Sequence, residues 1–549
     1  MKATRATWLW RATVLAALVA LVSVPALGSS SPSQAVSPGA LSHLSQVVSL
    51  RTWLSDPAQA PATLQARFRN AQAYAALIKG AHARGAALPT SPPFGDRMNF
   101  DGFGLPQNEE SVAACGGSTV EGTNDYRGIL NNEVDFTGWH LSTDGGESLT
   151  KEGLLTSIDG LASSGDPAYR ADASCNFYAA DLNFTVFDPF TAGTSGVGVY
   201  RSDVGTLLSS NCDTSGEPFS SDPDCWPTRT LVATNAAGDF LDKEWISVGD
   251  TGDGEHVWVT WSDFNFTNPQ FPFTASIMAS RCEADLSSCS APVKLSGSEK
   301  DIQFSDPTIG PDGRTYVSWV HVLGELSGNP QKFVLELRVA EPGSTTFGPT
   351  RQVAVISQPL PFGGLLNANN FRIASVPKTT VKLVNGAPRV FAVWDECRFR
   401  PFGTICEEAR VRMAFSDDFG ATWTTRTVSV NGQNYFPSIA NDSSDGQVAV
   451  AYYTNRFDVG YQNAQDVELV TIDAATGNVV NRQRVTGQSN ETEADWNFSS
   501  GFIGDYIDLA AAGGTAYVGY NSNIHNVKVF GVGGAPVPQQ DNFLSVLGL

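Results

Sequence analysis

Ser416-Asp417-Asp418-Phe419-Gly420-Ala421-Thr422-Trp423 reads S-x-D-x-G-x-T-W, and Ser142-Thr143-Asp144-Gly145-Gly146-Glu147-Ser148-Leu149 repeats it with the final aromatic replaced. Ser202-Asp203-Val204-Gly205-Thr206-Leu207 reads as a third, decayed copy. The residue types fit a hairpin turn. Gly supplies a position with φ > 0 at little steric cost. The Asp carboxylate accepts backbone N–H groups across the turn. Trp423 opens the next strand and is expected to pack beneath it. Ser142, Asp144, Gly146, Ser416, Asp418, Gly420 and Trp423 are therefore read as architecture.

Outward from these turns, the chain from about Arg97 alternates strands and turns, and one unit recurs. Its first part is a short strand, often opened by Asp-Pro or an aromatic-Pro, as in Asp306-Pro307-Thr308-Ile309 and Phe436-Pro437-Ser438-Ile439. Its second part is a turn Gly and an aromatic-rich strand: Val257–Trp261, Thr315–Trp319, Val390–Trp394 and Ala516–Tyr520. Glu109, Pro167, Lys243, Pro307, Pro377, Pro437 and Tyr506 mark seven such stations, at intervals of roughly 58 to 76 residues, long enough for four strands and their loops. The fold expected is all-β, a β-propeller of seven blades, with six as the alternative. After Tyr506 only about three strands' worth of chain remains. The last blade is expected to take its outer strand from near Arg97–Phe103, hiding an edge.

The bulk numbers agree with one large repeat array. The chain has 549 residues, 42% hydrophobic and 17% charged, with 52 Gly and 30 Pro. A formal charge of −21 argues against nucleic acid, because no basic stripe exists to neutralise phosphates. The same field disfavours anionic substrates unless arginines cluster locally.

Residues 1–28 read as a signal peptide: Lys2, Arg5 and Arg11, an apolar run from Ala12 to Leu27, then small residues at Ala26 and Gly28. Beyond it no stretch is long enough to span a membrane. Residues 29–96 are a Ser/Pro-rich extension, helical over 41–54 and 60–84, where Leu64, Phe68, Ala71, Ala75 and Ile78 share one face. Residues 97–535 are the propeller and 536–549 a C-terminal tail. The protein is expected to be secreted or held at the cell surface.

Eight cysteines after an export signal imply disulfides. Cys212–Cys225, Cys282–Cys289 and Cys397–Cys406 are nearest partners. Cys115 and Cys175 remain, each following its station by a similar distance, which puts them on neighbouring inner strands. No C-x-x-C or H-E-x-x-H occurs, so no metal ligands are assigned. Asp250-Thr251-Gly252-Asp253-Gly254 is oxygen-rich. It reads as a plain hairpin turn before it reads as a structural calcium loop. No other cofactor is implied. Asn183, Asn265 and Asn490 open N-x-[ST] triplets, the glycosylation acceptor pattern.

Taken together, Asn124-Asp125-Tyr126-Arg127-Gly128, the Ser142 and Ser416 octapeptides, Asp242-Lys243-Glu244-Trp245, Phe436-Pro437-Ser438 and Gly504-Asp505-Tyr506 resemble secreted bacterial proteins with sialidase-type Asp-box (BNR) repeats. The resemblance covers roughly residues 105–530. It implies a glycan or cell-surface ligand and, in the active members, a particular set of residues. Three arginines hold the substrate carboxylate, a Tyr activated by a Glu attacks the anomeric carbon, and an Asp is acid and base. The family's F/Y-R-I-P motif has no counterpart near the start of this propeller. Its nearest match, Phe371-Arg372-Ile373-Ala374, lies in mid-chain with Ala for Pro.

Residues at the ends of inner strands line a propeller's channel mouth. Tyr506 is the candidate nucleophile by register, Glu244 its activating carboxylate and Asp263 the acid/base. Arg127, Arg372, Arg398 and Arg456 are candidate substrate ligands. Asp125, Asp242, Asp306, Asp395 and Asp505 fall at similar places. Two functions follow: a sialidase-like glycoside hydrolase, or a propeller that binds glycans or proteins without catalysis. The missing motif favours binding.

Overall fold

The computed structural model describes residues 106–549, apart from 132–134, 186–191, 216–219, 268–272, 324–331, 358–364, 367–368, 370, 372, 374–375, 400–404, 443–445, 461, 492–501, 525 and 529–535. Seven antiparallel sheets follow one another along the chain, and each is a blade. Their innermost strands are Gln107–Cys115, Ala168–Ala171, Asp239–Asp250, Ile302–Ile309, Lys378–Val384, Asn434–Asn441 and Asp508–Ala512. The aromatic-rich stretches form second strands, including Glu255–Asn265, Thr315–Leu323, Ala387–Phe399 and Thr515–Ser522. Both faces of these middle strands are covered by neighbouring blades. That burial is what their unbroken apolar runs serve: Trp258, Trp261, Trp319 and Trp394 are all at most 1% exposed.

The inner strands share a feature that no station motif announces. Glu109, Asp166, Lys243, Phe304 and Phe436 all have φ between 49° and 64°, and Gly504 has φ 91°. In four blades the ladder register slips at this point, so two residues face one. These are bulges, and they turn the following side chains toward the axis or the next blade. The bulges correct the station alignment. Pro167 lies one residue past the equivalent position, Pro307 three and Pro437 one, whereas Tyr506, two residues before Asp508, falls on it. In the fifth blade Pro377 lies one residue past the equivalent Val376.

The ring closes between the first and last blades. Asp508 accepts from Ser111 Oγ at 2.9 Å and from the Val112 N–H at 3.2 Å, and the Asp505 N–H donates to Glu109 Oε1. Residues 536–549 are not a tail. Asp541–Gly548 pairs along the whole of Thr515–Ser522 as the third strand of the last blade. Its apolar Phe543 and Leu544 are buried, which holds it to the sheet. The strand expected from Arg97–Phe103, the N-terminal extension and the signal segment lie outside the described residues.

All four expected disulfides form: Cys115–Cys175, Cys212–Cys225, Cys282–Cys289 and Cys397–Cys406. Cys175 sits in the turn after its inner strand rather than on the strand itself. Such bonds are the chemistry of an extracytoplasmic compartment. No helix among the described residues is long and apolar enough to cross a membrane.

The two octapeptides build the same turn, between the third and fourth strands of the first and fifth blades. Ser142 Oγ and Ser416 Oγ each donate to their Asp, at 2.7 and 2.8 Å. Each Ser Oγ also accepts the glycine N–H, from Gly146 and Gly420. Ser148 and Thr422 donate both N–H and hydroxyl to the same carboxylates. A side chain at Gly420 would strike Leu337, and one at Gly146 would strike Val546, so each glycine also admits a neighbouring blade. Trp423 is only half-buried, with its indole N–H on Gly420 O at 3.0 Å. The third copy departs. Asp203 caps the short helix Val204–Leu207 by accepting from Thr206, and Ser202 Oγ turns away to Cys225 O.

Candidate functional site

The bulges gather a compact cluster where the inner strands begin. Tyr506 is buried, and its hydroxyl donates to Pro167 O at 3.0 Å. Its ring meets Trp245 edge-on at 5.0 Å. Glu244 is 1% exposed, and neither of its carboxyl oxygens has a hydrogen-bond partner. Lys243 Nζ lies 3.8 Å from both Asp242 and Asp505 and sits over the Phe304 ring. The cavity among these side chains holds about 20 Å³, room for about one water.

Electrostatics here run against an activated tyrosine. Burial, then the carboxyls of Glu109, Asp166, Glu244 and Glu110, push the Tyr506 phenol well above its ordinary value. Burial and the neighbouring Asp166 likewise raise Glu244. A nucleophilic phenol needs its anion favoured. Here the four carboxyls favour the proton, and the Lys378 ammonium 5.6 Å from the ring does not outweigh them.

Further along the axis a second group bridges four blades. Asp508 accepts from Ser111, from Ser438 Oγ at 3.0 Å and from Arg170 Nη1 at 2.7 Å. Arg170 stacks over Trp245 from one side. Lys378 Nζ, 3.9 Å from Asp306, sits 2.8 Å from the same ring's centre. Burial pulls Lys378 down to about 7 against the attraction of Asp306. Sequence reasoning missed Asp508, Arg170 and Lys378. Asp508 lies two residues beyond Tyr506 and so shares its face in an extended strand, which was the available signal.

The remaining candidates do not join Tyr506 and Glu244. Arg127 is 1% exposed and grips Asp125 through Nε and Nη2, with Glu152 at 3.1 Å. Burial would raise Glu152, yet Arg127 and His140 hold it at about 2. Arg456 is bonded to Glu468 and lies over Phe457. Arg398 is exposed and pairs with Glu408 at 3.2 Å. In each case a carboxylate of the arginine's own blade already neutralises it. Asp263 is half-buried, raised to about 6 by burial and Asp239, with Lys294 opposing. Arg372 lies outside the described residues. Asp306 binds the Thr379 N–H and hydroxyl. Asp395 is buried in the second strand of the fifth blade.

The opposite face of the ring, where inner strands turn into second strands, is open. A basin of about 810 Å³ lies there, lined by the turns of five blades. Asp172, Asp250, Glu255 and Asp312 stand on its wall, with Ile309 and Val381 as apolar floor. Burial, then Asp172, raise Glu255. Leu383 on its edge is 49% exposed.

The calcium reading of Asp250–Gly254 gives way to the hairpin. The Thr251 N–H closes on Gly254 O at 2.9 Å, and Asp253 is taken by Thr251 Oγ1 and Arg281. The acceptor asparagines are similarly committed. Asn183 and Asn490 are buried, with amides donating to Tyr200 OH and Gln465 O. Asn265 donates to Asp239.

No family model and no curated protein matches the chain. Solved structures similar to it include one of a protein of unknown function from Dyadobacter fermentans. It is 12% identical with a TM-score of 0.42, and the alignment covers 72% of this chain and 98% of that one. A Hadza microbial sialidase, Hz136, is 13% identical over 64% of this chain and 63% of its own, with a TM-score of 0.38. An α-L-arabinanase of Penicillium chrysogenum, solved with arabinobiose, is 11% identical over 71% of this chain and 100% of its own, with a TM-score of 0.41. The two named activities differ, and at such identities neither assigns a substrate.

Proposed function

We propose that this chain is an exported, glycan-binding propeller of the sialidase-type Asp-box class, and that it binds sugar without sialidase chemistry. The observation that carries the binding half is the basin. Its volume of about 810 Å³ falls in the usual range for ligand pockets, and its wall mixes carboxylates with apolar patches. Carboxylates accept from sugar hydroxyls, and the apolar floor meets the C–H faces of a ring. With Asp172, Asp250, Glu255 and Asp312 around it, the basin selects neutral or amino sugars and repels a sialic acid carboxylate. Support for the non-catalytic half comes from the paired arginines and the pinned phenol of Tyr506. Export is supported by the four disulfides and the N-terminal residues.

The test pairs a binding screen with a turnover assay. Neutral, amino-substituted and sialylated oligosaccharides are titrated calorimetrically against the protein and against Asp250→Asn/Glu255→Gln. The expected result is binding of a neutral or amino sugar, weakened about tenfold by the double change. No turnover of an aryl sialoside is expected. Sialoside turnover lost in Tyr506→Phe would establish an enzyme and overturn the reading. Binding of every sugar unchanged by the basin variant would move the site elsewhere.

A further inference from the structure

On the fourth blade, a histidine and two glutamates meet outside everything assigned above. Thr315–Leu323 and Lys332–Ala340 are its second and third strands, paired so that Trp319 faces Glu336 and His321 faces Val334. Trp319 and His321 therefore project from one face of the sheet, and Glu336 stands on the same face. Glu299, in the loop that leads from the third blade, reaches in beside them. His321 Nδ1 is 3.6 Å from Glu336 Oε1 and 3.9 Å from Glu299 Oε1. The ligand atoms of all three residues lie within 4.8 Å of one another.

Three details separate this group from a surface ion pair. First, Glu336 is positioned: the Trp319 indole N–H donates to its Oε2 at 2.8 Å, which leaves Oε1 directed at His321. Such an outer partner commonly orients a metal-bound carboxylate. Second, Glu299 Oε2 is a buried oxygen with no hydrogen-bond partner. Third, two carboxylates have been brought against one another. Their ligand oxygens lie within 4.8 Å of one another. Packing two carboxylates together is costly unless a proton or a cation lies between them.

We propose that Glu299, His321 and Glu336 bind a divalent first-row cation of the zinc type, with at least one coordination position open to solvent or ligand. One imidazole nitrogen and two carboxylates are a borderline ligand set, suited to Zn²⁺, Co²⁺ or Mn²⁺ and poorly suited to Ca²⁺. Ligand distances near 2.1 Å place tetrahedral donor atoms about 3.4 Å apart. The observed separations, 3.6 and 3.9 Å from His321 and none above 4.8 Å, close on metal binding. Three protein ligands leave the fourth position free, as in catalytic rather than structural zinc sites. His321 is 15% exposed and Glu299 31%, so the group is open to solvent. The residues are spread over a loop and two strands, which is why no sequence motif reveals them.

The experiment uses the full exported chain, stripped with a chelator and dialysed. Zn²⁺, Co²⁺ and Ca²⁺ are titrated by calorimetry, and bound Co²⁺ is followed by its visible absorption. One Zn²⁺ per chain is expected, at a Kd of about 10 µM or tighter, with Ca²⁺ at least tenfold weaker. His321→Ala and Glu299→Gln should each weaken Zn²⁺ at least tenfold and abolish the Co²⁺ absorption. Both variants should match the parent's melting temperature in chelator, which separates lost metal from lost fold. Affinity should fall as pH drops, because protons compete with the metal for its ligand atoms. Absence of Zn²⁺ binding below about 100 µM would overturn the proposal, leaving a plain histidine–glutamate ion pair. So would binding that His321→Ala leaves unchanged.

Discussion

The two ends of the axial channel are made by the same inner strands and are chemically opposite. Where the strands begin, bulges at Glu109, Lys243, Phe304 and Phe436 fold charged side chains inward until a cavity of about 20 Å³ remains. Where the strands end, tight turns stand apart around a basin of about 810 Å³. A residue with φ > 0 that is not glycine costs energy, and repeating it around a ring requires a return. Here the return is a charged network that ties blades together. The lesson is that a concentration of ionisable residues need not mark the ligand. At the packed end they hold the ring closed. At the open end fewer charges remain: Asp172 is buried and bonded within its own blade, while Asp250 and Glu255 reach solvent.

The sharpest way to break this comparison is Asp508→Ala. Asp508 is 1% exposed and serves four blades through Ser111, Arg170 and Ser438. Removing it leaves the Arg170 guanidinium without its carboxylate, so a loss of about 3–5 kcal/mol is expected in denaturant titration. Asp250→Asn at the basin should change stability by less than about 0.5 kcal/mol. Equal losses from the two changes would show that the open end is structural as well.

A second separation appears in pH. Burial pushes Glu121 up to about 8, with the Asn542 amide opposing, and raises Glu110 and Glu244. A carboxyl with a raised folded value keeps its proton where the unfolded chain has lost it. Between about pH 4.5 and the raised value the folded state binds more protons, so stability falls as pH rises. Glu244→Gln keeps the shape and cannot ionise. It should gain about 1–3 kcal/mol over the parent at pH 9 and nothing at pH 4. An identical pH profile for parent and variant would mean that Glu244 is ionised and held by a partner.

Blades, second strands and disulfides were legible because each rests on local chemistry: turn glycines, unbroken aromatic-rich apolar runs and cysteine spacing. The candidate site was legible only in part. Tyr506 and Glu244 do meet, since both stand where an inner strand begins. Arg127, Arg398 and Arg456 carried no sign of their partners, because pairing with Glu152, Glu408 and Glu468 depends on which strands lie side by side. The bulges themselves were hidden for a different reason. Lys243, Phe304 and Phe436 adopt φ > 0 under tertiary constraint, and their residue types do not favour it. The C-terminal strand was taken for a tail because its partner, Thr515–Ser522, is separated from it by a long connection.

The smallest effect compares the octapeptide turns with each other. They share the Ser–Asp, Ser–Gly and Ser/Thr–Asp side-chain hydrogen bonds, yet one ends in Trp423 and the other in Leu149. The carboxylate therefore defines the turn, and the tryptophan adds cover. The Thr422 hydroxyl and N–H hold Asp418 at about 2, the sign of a carboxylate bonded as an anion. Asp418→Ala and Asp144→Ala should each cost about 1 kcal/mol, the scale of losing a capping carboxylate. The contribution of Asp418 should fade as pH drops from about 4 toward 2. Trp423→Ala should cost about 1–2 kcal/mol, below the 3–5 of a fully buried aromatic, because Trp423 is only half-buried. Both turns lie on the same face as the basin, at the outer strands. Sugar affinity unchanged in all three variants would keep ligand recognition with the inner-strand turns, whereas a tenfold loss in any one would extend the binding surface outward across the blade.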